Sequence, residues 1–176
     1  MLKTPRLILR PFQPSDAHAV QQLADAAEVA EATLNFPHPY DDGMAECWIA
    51  THKSAWNDGT AVTFAITTWN DALRGTVSLQ LTRPHCRGEL GYWIGRPYWG
   101  QGLATEAVRR VLHFAFEDLA LNRVQSSYLP RNPASGRFLE KVGMTREGLH
   151  REHFRKGGRF EDVVEFAVLK CDSESA

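Results

Sequence analysis

The chain has 176 residues, a length that fits one domain with a sizeable hydrophobic core. It is 43% hydrophobic and 23% charged, as soluble proteins are, and its 20 basic and 21 acidic residues create no general field that would attract nucleic acid or a membrane. No segment approaches the roughly 20 apolar residues of a transmembrane helix, and the start lacks the apolar segment of a signal peptide. Cys47, Cys86 and Cys171 are odd in number and form no CxxC pair, which argues against disulfides and zinc. We therefore expect a cytoplasmic protein without a metal.

The N-terminal half of the chain predicts one strand, two helices and a pair of strands. The segment Arg6–Arg10 places Leu7 and Leu9 on one face and the arginines on the other, as in a half-buried strand. A helix start follows at Pro14-Ser15-Asp16. The two prolines of Asn35–Tyr40 are typical of a loop, which precedes a second helix capped by Asp41 or Asp42. Alternating apolar residues then predict two strands and the hairpin between them, at Val62–Ile66, Asn70–Gly75 and Val77–Leu81.

The C-terminal half alternates strands with helices. Glu89–Ile94 and Arg123–Leu129 are typical of strands, whereas Leu103–Leu119 is apolar at helical spacing. A second helix starts at Asn132-Pro133, since asparagine is a good N-cap and proline fits the first helical position. Gly143 can adopt the left-handed backbone conformation in which many helices end, so it is predicted to terminate this helix.

Two further strands, Met144–Phe154 and Val163–Leu169, complete the predicted fold. The order of elements indicates a mixed α/β (α+β) fold, in which about four helices pack on one sheet. We expect one domain over residues 1–171 and a flexible tail at residues 172–176.

The turn between the strand ending at Ile94 and the helix starting at Leu103 contains Gly100 and Gly102. A helix N-terminus presents unpaired backbone N–H groups and about half a positive charge, which a phosphate satisfies. Glycine also lets a phosphate approach the backbone closely. Both glycines equally fit a plain tight turn, so spacing alone leaves the two interpretations open. A dinucleotide fingerprint would need Gly or Ala at Thr105, and the Gly-Lys-Ser/Thr of a P-loop is absent.

Several segments together resemble the GNAT superfamily of acetyltransferases, in its ribosomal-protein N-terminal acetyltransferase (RimJ/RimL-type) branch. The segment Tyr98–Ala107, YWGQGLATEA, is similar to the acetyl-CoA loop of that superfamily. The other similar segments, in the order of the family, are Thr4–Arg10 with Asp16, Pro39-Tyr40, Glu89–Tyr92, Asn132–Ser135, and Gly143-Met144 with Glu147-Gly148. The likeness covers nearly the whole chain. Pro97 departs from the pattern, because many members carry Gln or Arg there.

The resemblance implies acetyl-CoA as a cosubstrate and a twisted, mostly antiparallel sheet that is splayed in the middle. The loop amides would hold the pyrophosphate, the splayed strand would pair with the pantetheine arm, and Asn132 would contact a pantetheine amide. The residues that the resemblance assigns to the cofactor are Trp93, Ile94, Gly95, Trp99, Gly100, Gln101, Gly102, Leu103, Ala104, Thr105 and Asn132.

Acetyl transfer needs a deprotonated amine, a polarised thioester carbonyl and a proton for the departing thiolate. The resemblance suggests Glu89 as the general base; its alternative role is that of a solvent-facing strand carboxylate. Ser135 is the predicted proton donor, with Tyr128 as the fallback, although a serine there could instead bond the helix start. The backbone N–H of Ile94 or a neighbour would polarise the carbonyl. No cysteine matches a nucleophile position, which favours direct transfer.

The amine acceptor is predicted from the cost of deprotonation. An α-amine, with a pKa of ~7.7–8.0, costs about 1 kcal/mol to deprotonate at pH 7, whereas a lysine amine at ~10.4 costs about 4.6 kcal/mol. A weakly supported base therefore favours a protein or peptide N-terminus. The alternatives are a small-molecule amine (polyamine, amino acid or drug) and a non-catalytic acyl-CoA-binding module. The Asn35–Tyr40 loop, with Phe36 and Tyr40, is expected in the acceptor wall, and a homodimer is expected by analogy with relatives.

Overall fold

The computed structural model of the protein describes residues 1–33 and 36–173, so Asn35 and residues 174–176 of the predicted tail lie outside it. Eight strands form one sheet in the order β1-β2-β3-β4-β5-β6-β8-β7. The strands are β1 (Leu2–Lys3), β2 (Leu7–Arg10), β3 (Ala61–Thr68), β4 (Leu73–Thr82), β5 (Arg87–Ile94), β6 (Arg123–Tyr128), β7 (Thr145–Lys156) and β8 (Arg159–Leu169). The helices in the described ranges are α1 (Ala17–Ala24), α2 (Ala27–Ala32), α3 (Met44–Asn57), α4 (Leu103–Glu117), α5 (Pro133–Lys141) and α6 (Lys170–Ser173). None of these helices is long and apolar enough to cross a membrane.

The sheet is antiparallel except where β5 pairs with β6. That parallel pairing joins only Arg87–Glu89 to Arg123–Gln125, although β5 continues to Ile94 and β6 to Tyr128. The two strands therefore separate after Glu89. This confirms the predicted mostly antiparallel sheet with a splay in its middle.

The two faces of the sheet bury different cores. On the α4 face, Val108 and Val111 of α4 pack with Leu90 and other apolar strand residues. On the α1–α3 face, Val20 of α1 and Ile49 of α3 are buried in a cluster that includes Trp93. Side chains alternate along a strand, so β5 contributes Leu90 and Ile94 to the first core and Trp93 to the second. Neighbouring residues of β5 thus point to different sides of the molecule.

The ends of α5 confirm their prediction, whereas the start of α3 corrects one. Asn132 caps α5 by accepting the backbone N–H of Ser135 at 3.3 Å, and Gly143 follows the helix with a φ of 95°. Neither predicted aspartate caps α3, which begins after Gly43 at a φ of 84° without a side-chain cap. Asp42 instead accepts a hydrogen bond from Gln21 at 2.6 Å.

Other element boundaries also differ from the predictions. β4 already begins at Leu73, inside the predicted hairpin turn, and β8 begins at Arg159 rather than Val163. The short elements β1, α2 and α6 carry too few residues to show a hydrophobic period. The predicted tail begins as part of α6, where the Asp172 carboxylate accepts the backbone N–H of Leu169 at 3.0 Å.

Candidate active site

A cavity of about 890 Å³ opens where β5 and β6 separate. The loop before α4 walls one end, α2 and α3 wall the other, and β4 and β5 form the floor. Most of the predicted site residues meet in this one space: Glu89, Trp93, Ile94, Trp99, Gly100, Gly102, Leu103, Ala104, Tyr128, Asn132 and Ser135 line it. Gly95, Gln101 and Thr105 do not.

The loop before α4 has the backbone shape that an anion site requires. Gly100 and Gly102 have φ angles of 75° and 76°, in the left-handed region that favours glycine. The N–H of Trp99 is already bonded to a carbonyl at 3.3 Å, and the first helical bond runs from Glu106 N–H to Gly102 C=O at 3.1 Å. Among the described residues, no group accepts from the backbone N–H groups between these two. A run of amides at a helix start is thus open to an anion.

The turn after β1 braces this loop. The Glu106 carboxylate accepts the Thr4 hydroxyl at 2.6 Å, the Arg6 backbone N–H at 2.9 Å and Arg6 Nε at 2.6 Å. Arg6 also donates to the Gln101 carbonyl at 3.0 Å. Burial raises the pKa of Glu106, but the bonds from Thr4 and Arg6 and the charge of Arg6 outweigh it, so this pKa lies below its usual range. Thr4, Arg6 and Glu106 all lie in segments that resemble the GNAT superfamily, but no sequence pattern indicates that they brace the loop.

The exposed edge of β5 faces the gap between the strands. Gly95 N–H donates to Arg74 C=O at 2.9 Å, which sets the alternation of the β4–β5 ladder. Trp93 therefore directs its N–H and C=O towards β4, whereas Tyr92 and Ile94 direct theirs towards the gap. An extended chain that carries amides could pair with this edge as an additional strand would.

Side chains occupy part of the same edge. The indole N–H of Trp99 donates to Ile94 C=O at 2.6 Å, and the Ser126 hydroxyl donates to Leu90 C=O at 3.0 Å. Gly95 has a packing role in this structure, and its predicted contact with the cofactor stays a prediction. Its N–H and C=O are both hydrogen-bonded within the protein, and a Cβ there would lie 2.7 Å from Leu23 Cδ2 of α1. Gly95 thus allows α1 to pack closely on the sheet.

Two hydroxyl groups meet beside the gap. Tyr92 Oη and Ser135 Oγ lie 2.8 Å apart, and the Tyr92 ring packs on Phe138 with 4.4 Å between ring centroids. Burial raises the pKa of Tyr92 to about 12, although the hydrogen bond with Ser135 opposes the shift. Tyr92 is a candidate site residue that the sequence patterns did not single out. Its position in the Glu89–Tyr92 segment, two residues before Ile94 and therefore on the same strand edge, was the available signal.

Tyr128, the fallback proton donor, lines the cavity next to α5. A Cβ on Gly136 would lie 2.6 Å from Tyr128 Oη, so this glycine makes room for the phenol. Asn132 contacts two helices, since its oxygen caps α5 and its Nδ2 donates to Ala32 C=O at the end of α2, at 3.2 Å. The predicted contact of Asn132 with pantetheine stays a prediction.

Glu89 lies on the α1–α3 face of β5, the same face as Gly91 and Trp93. It is exposed, and among the described residues that line the cavity it is the single charged side chain. Burial, and then the negative charge of Glu89, raises the pKa of Glu165 on β8, which indicates that the two carboxylates are close. Within residues 1–33 and 36–173, no group of three metal-ligating side chains is arranged to hold a metal ion.

Comparison with known proteins shows the family to which a chain with this cavity and loop belongs. The family profile of the acetyltransferase (GNAT) domain matches residues 6–145. The chain belongs to the GNAT acetyltransferase family. A Bacillus licheniformis protein named "Uncharacterized N-acetyltransferase p20" is 32% identical over 171 residues, which cover 96% of this chain and 96% of that protein. The present chain is thus an acetyl-CoA-dependent N-acetyltransferase.

Two other GNAT acetyltransferases differ in the substrates that their names state. The ribosomal protein uS5 alanine N-acetyltransferase of Escherichia coli is 30% identical over 83 residues, which cover 47% of this chain and 43% of that protein. The spermidine N-acetyltransferase of Vibrio cholerae, solved with CoA and spermine, is 23% identical. The superposition of the two structures has a TM-score of 0.82 and covers 96% of this chain and 98% of the Vibrio cholerae chain. Its likeness shows the fold alone.

Proposed function

We propose that this acetyltransferase modifies the α-amine of a protein or peptide N-terminus by direct transfer from acetyl-CoA. The observation that carries the proposal is the continuous cavity that connects the open amides before α4, across the gap between β5 and β6, with a wall on which Glu89 is the one charged side chain among the described residues. A cofactor and an amine acceptor can therefore meet in one space.

The residues present fit acetyl-CoA. The amides between Gly100 and Thr105 would hold the pyrophosphate, because they lie at a helix start and have no acceptor among the described residues. The edge of β5 would pair with pantetheine through the N–H and C=O of Tyr92, and a cavity of about 890 Å³ is within the range of cofactor sites. When bound, acetyl-CoA supplies the acetyl group as an activated thioester.

The chain's own residues then have three tasks. Glu89 Oε accepts the proton of the incoming ammonium, directly or through water. The Ile94 N–H, which faces the gap, donates towards the carbonyl oxygen of the acetyl group. Ser135 Oγ, held by Tyr92, donates a proton to the sulfur as the new C–N bond forms and the C–S bond breaks, and it is reprotonated by the second proton that the nitrogen loses. Tyr128 is the alternative donor.

Charge supports an N-terminal amine over a polyamine. A polyamine carries several positive charges, whereas the described wall offers one carboxylate. An α-amine also costs less free energy to deprotonate near neutral pH than a lysine amine does, which suits an exposed carboxylate base. A non-catalytic module would not need the Tyr92–Ser135 hydroxyl pair at the gap.

Thiol release from acetyl-CoA tests the proposal. The panel consists of peptides with a free N-terminus, the same peptides with a blocked N-terminus and one lysine, and spermidine. We expect kcat/KM to be highest for the free N-termini. Faster acetylation of the lysine peptides or of spermidine would assign another acceptor. Saturable CoA binding without thiol release for any amine would favour the module.

A further inference from the structure

The part of the cavity on the α1–α3 face of β4 and β5, which we call the acceptor arm, has an unusually aromatic wall. It is lined by Val29 of α2, Met44 and Trp48 of α3, Phe36 and Tyr40 from the segment between these helices, and Trp93 of β5.

These rings pack against one another. Phe36 stacks on Tyr40 with centroids 5.4 Å apart and meets Trp93 edge-on at 5.5 Å. Tyr40 and Trp93 are each only 6% exposed. The wall is therefore held in place before any ligand arrives, so binding an apolar group against it requires little ordering of side chains.

The floor of the arm has room next to this wall. Glu89, Gly91 and Trp93 share the face, and about 13 Å separates the first from the last at 3.3 Å per residue. Gly91 contributes no side chain between them, and a Cβ there would lie 3.1 Å from Ser78 Oγ. An amine at the Glu89 end can thus belong to a molecule whose side chain reaches the aromatic end.

Charge in the acceptor arm also restricts the first residue. Asp or Lys as the first residue would bring a second charge against an apolar wall, which is unfavourable without a partner.

We propose that the acceptor arm selects N-terminal residues with an aromatic or large aliphatic side chain, with the wall around Phe36, Tyr40 and Trp93 as the determinant of selectivity. The inference rests on the proposed N-terminal function and adds the class of first residue. A wall with one charge and several aromatic rings binds such a side chain by burial of apolar surface, which a small or charged first residue cannot supply.

The first part of the test uses peptides that differ only in their first residue: Phe, Leu, Ser, Gly, Asp or Lys. We expect kcat/KM for Phe and Leu to exceed that for Gly by at least about tenfold, since one methylene in an apolar pocket is already worth roughly tenfold or more. Equal rates, or a preference for Gly, Ser, Asp or Lys, would overturn the inference and leave N-terminal acetylation intact.

Variants connect the preference to the wall. Phe36→Ala is expected to reduce the Phe-to-Gly ratio by about tenfold, whereas the matched Phe160→Ala, at a 64% exposed position on β8, is expected to leave the ratio unchanged. Retained CoA binding verifies that Phe36→Ala is folded. If it is not, Met44→Ala tests the same wall, and an unchanged ratio in the folded variant overturns the inference.

A second set of substrates distinguishes failure of the inference from failure of the proposed function. It uses simple monoamines that carry the same side chains, phenethylamine for Phe and methylamine for Gly. Acetylation of the aryl amine without acetylation of any peptide would refute the N-terminal function and support the selectivity of the arm. Absence of acetylation across all amines would overturn both.

Discussion

The Tyr92 and Ser135 hydroxyls have two protons between them, and the bond at 2.8 Å uses one of them. Burial raises the pKa of Tyr92 to about 12, so the phenol keeps its proton at neutral pH. If Tyr92 donates to Ser135, the serine proton is left for the departing sulfur. The pair then orients one donor at the gap, which is the arrangement a general acid needs.

Removing the donor should slow the chemical step. We expect Ser135→Ala to lower kcat about 100-fold, the usual contribution of a general acid, and Tyr92→Phe to lower it less, because the serine keeps its proton but loses its orientation. CoA affinity measured by calorimetry should stay the same in both variants. Tyr128→Phe is the matched variant: if it lowers kcat and Ser135→Ala does not, Tyr128 is the acid.

The proposed role of Glu89 predicts a particular dependence on pH. Glu89→Gln removes the base, so kcat/KM at pH 7 should fall about 100-fold. The loss should shrink as the pH rises towards the pKa of the amine acceptor, because the amine then loses its proton to solvent. The exposed Glu140→Gln variant of α5 is the control. A deficit that stays constant between pH 6 and pH 9 would contradict a role as base.

At the scale of elements, the six-residue helix α2 depends on distant partners. The Lys156 ammonium, at the end of β7, donates to Ala30 C=O at 2.6 Å and also to Thr33 C=O. Asn132, at the start of α5, donates a hydrogen bond from its Nδ2 to Ala32 C=O. A helix this short is unstable alone, so these bonds hold the α2 side of the cavity wall in place.

Lys156→Met should therefore loosen α2. We expect the free energy of unfolding to fall by about 1.5–3 kcal/mol, the range for a hydrogen bond to a charged group. We also expect KM for the amine acceptor to rise several-fold while CoA affinity is kept, because α2 walls the amine end of the cavity. Lys156→Arg, which retains the charge, should recover part of both losses. A change in CoA affinity alone would argue against this positioning role.

The same elements show how far sequence could predict the structure. Local rules were sufficient for α4 and α5, since helical spacing and the Asn132-Pro133 start are encoded within each segment. The gap in the sheet was expected from family resemblance rather than from residue patterns. No local pattern marks α2, because its stabilising lysine lies 126 residues from Ala30. The Tyr92–Ser135 pair was missed for the same reason, since its partners are 43 residues apart.

For the whole molecule, a buried ion pair joins strand β2 to the helical turn that precedes α1. Arg10 binds both carboxylate oxygens of Asp16 at 2.7 and 2.8 Å, and Asp16 also accepts the Gln13 N–H at 2.7 Å. Both side chains are 9% exposed. Burial raises the pKa of Asp16, but the bonds from Arg10 and Gln13 outweigh it and the pKa lies below its usual range.

This pair predicts how stability depends on pH. A carboxyl with a lowered folded pKa stabilises the protein above its unfolded pKa of about 3.9 and loses that contribution as pH falls through the folded pKa. Asp16→Asn should cost about 3 kcal/mol at pH 7, the low end for a broken buried pair, because Asp71 still contacts Arg10. Urea unfolding should show this deficit shrinking below about pH 4. The exposed Asp58→Asn variant should show neither effect.

Cofactor binding couples the loop before α4 to the stability of the whole protein. A ligand that binds only the folded state at 100 times its Kd adds about 2.7 kcal/mol of stability, which raises Tm. Gly100→Asp places a negative side chain where the pyrophosphate is expected, so CoA should then raise Tm little or not at all. The matched control is Gly158→Asp in the β7–β8 turn: like Gly100, Gly158 has a positive φ, 82° against 75°, and a Cβ there meets nothing within 4 Å. Both variants carry similar backbone strain, so a full CoA-dependent rise in Tm for Gly100→Asp would refute the assignment of this loop to the pyrophosphate.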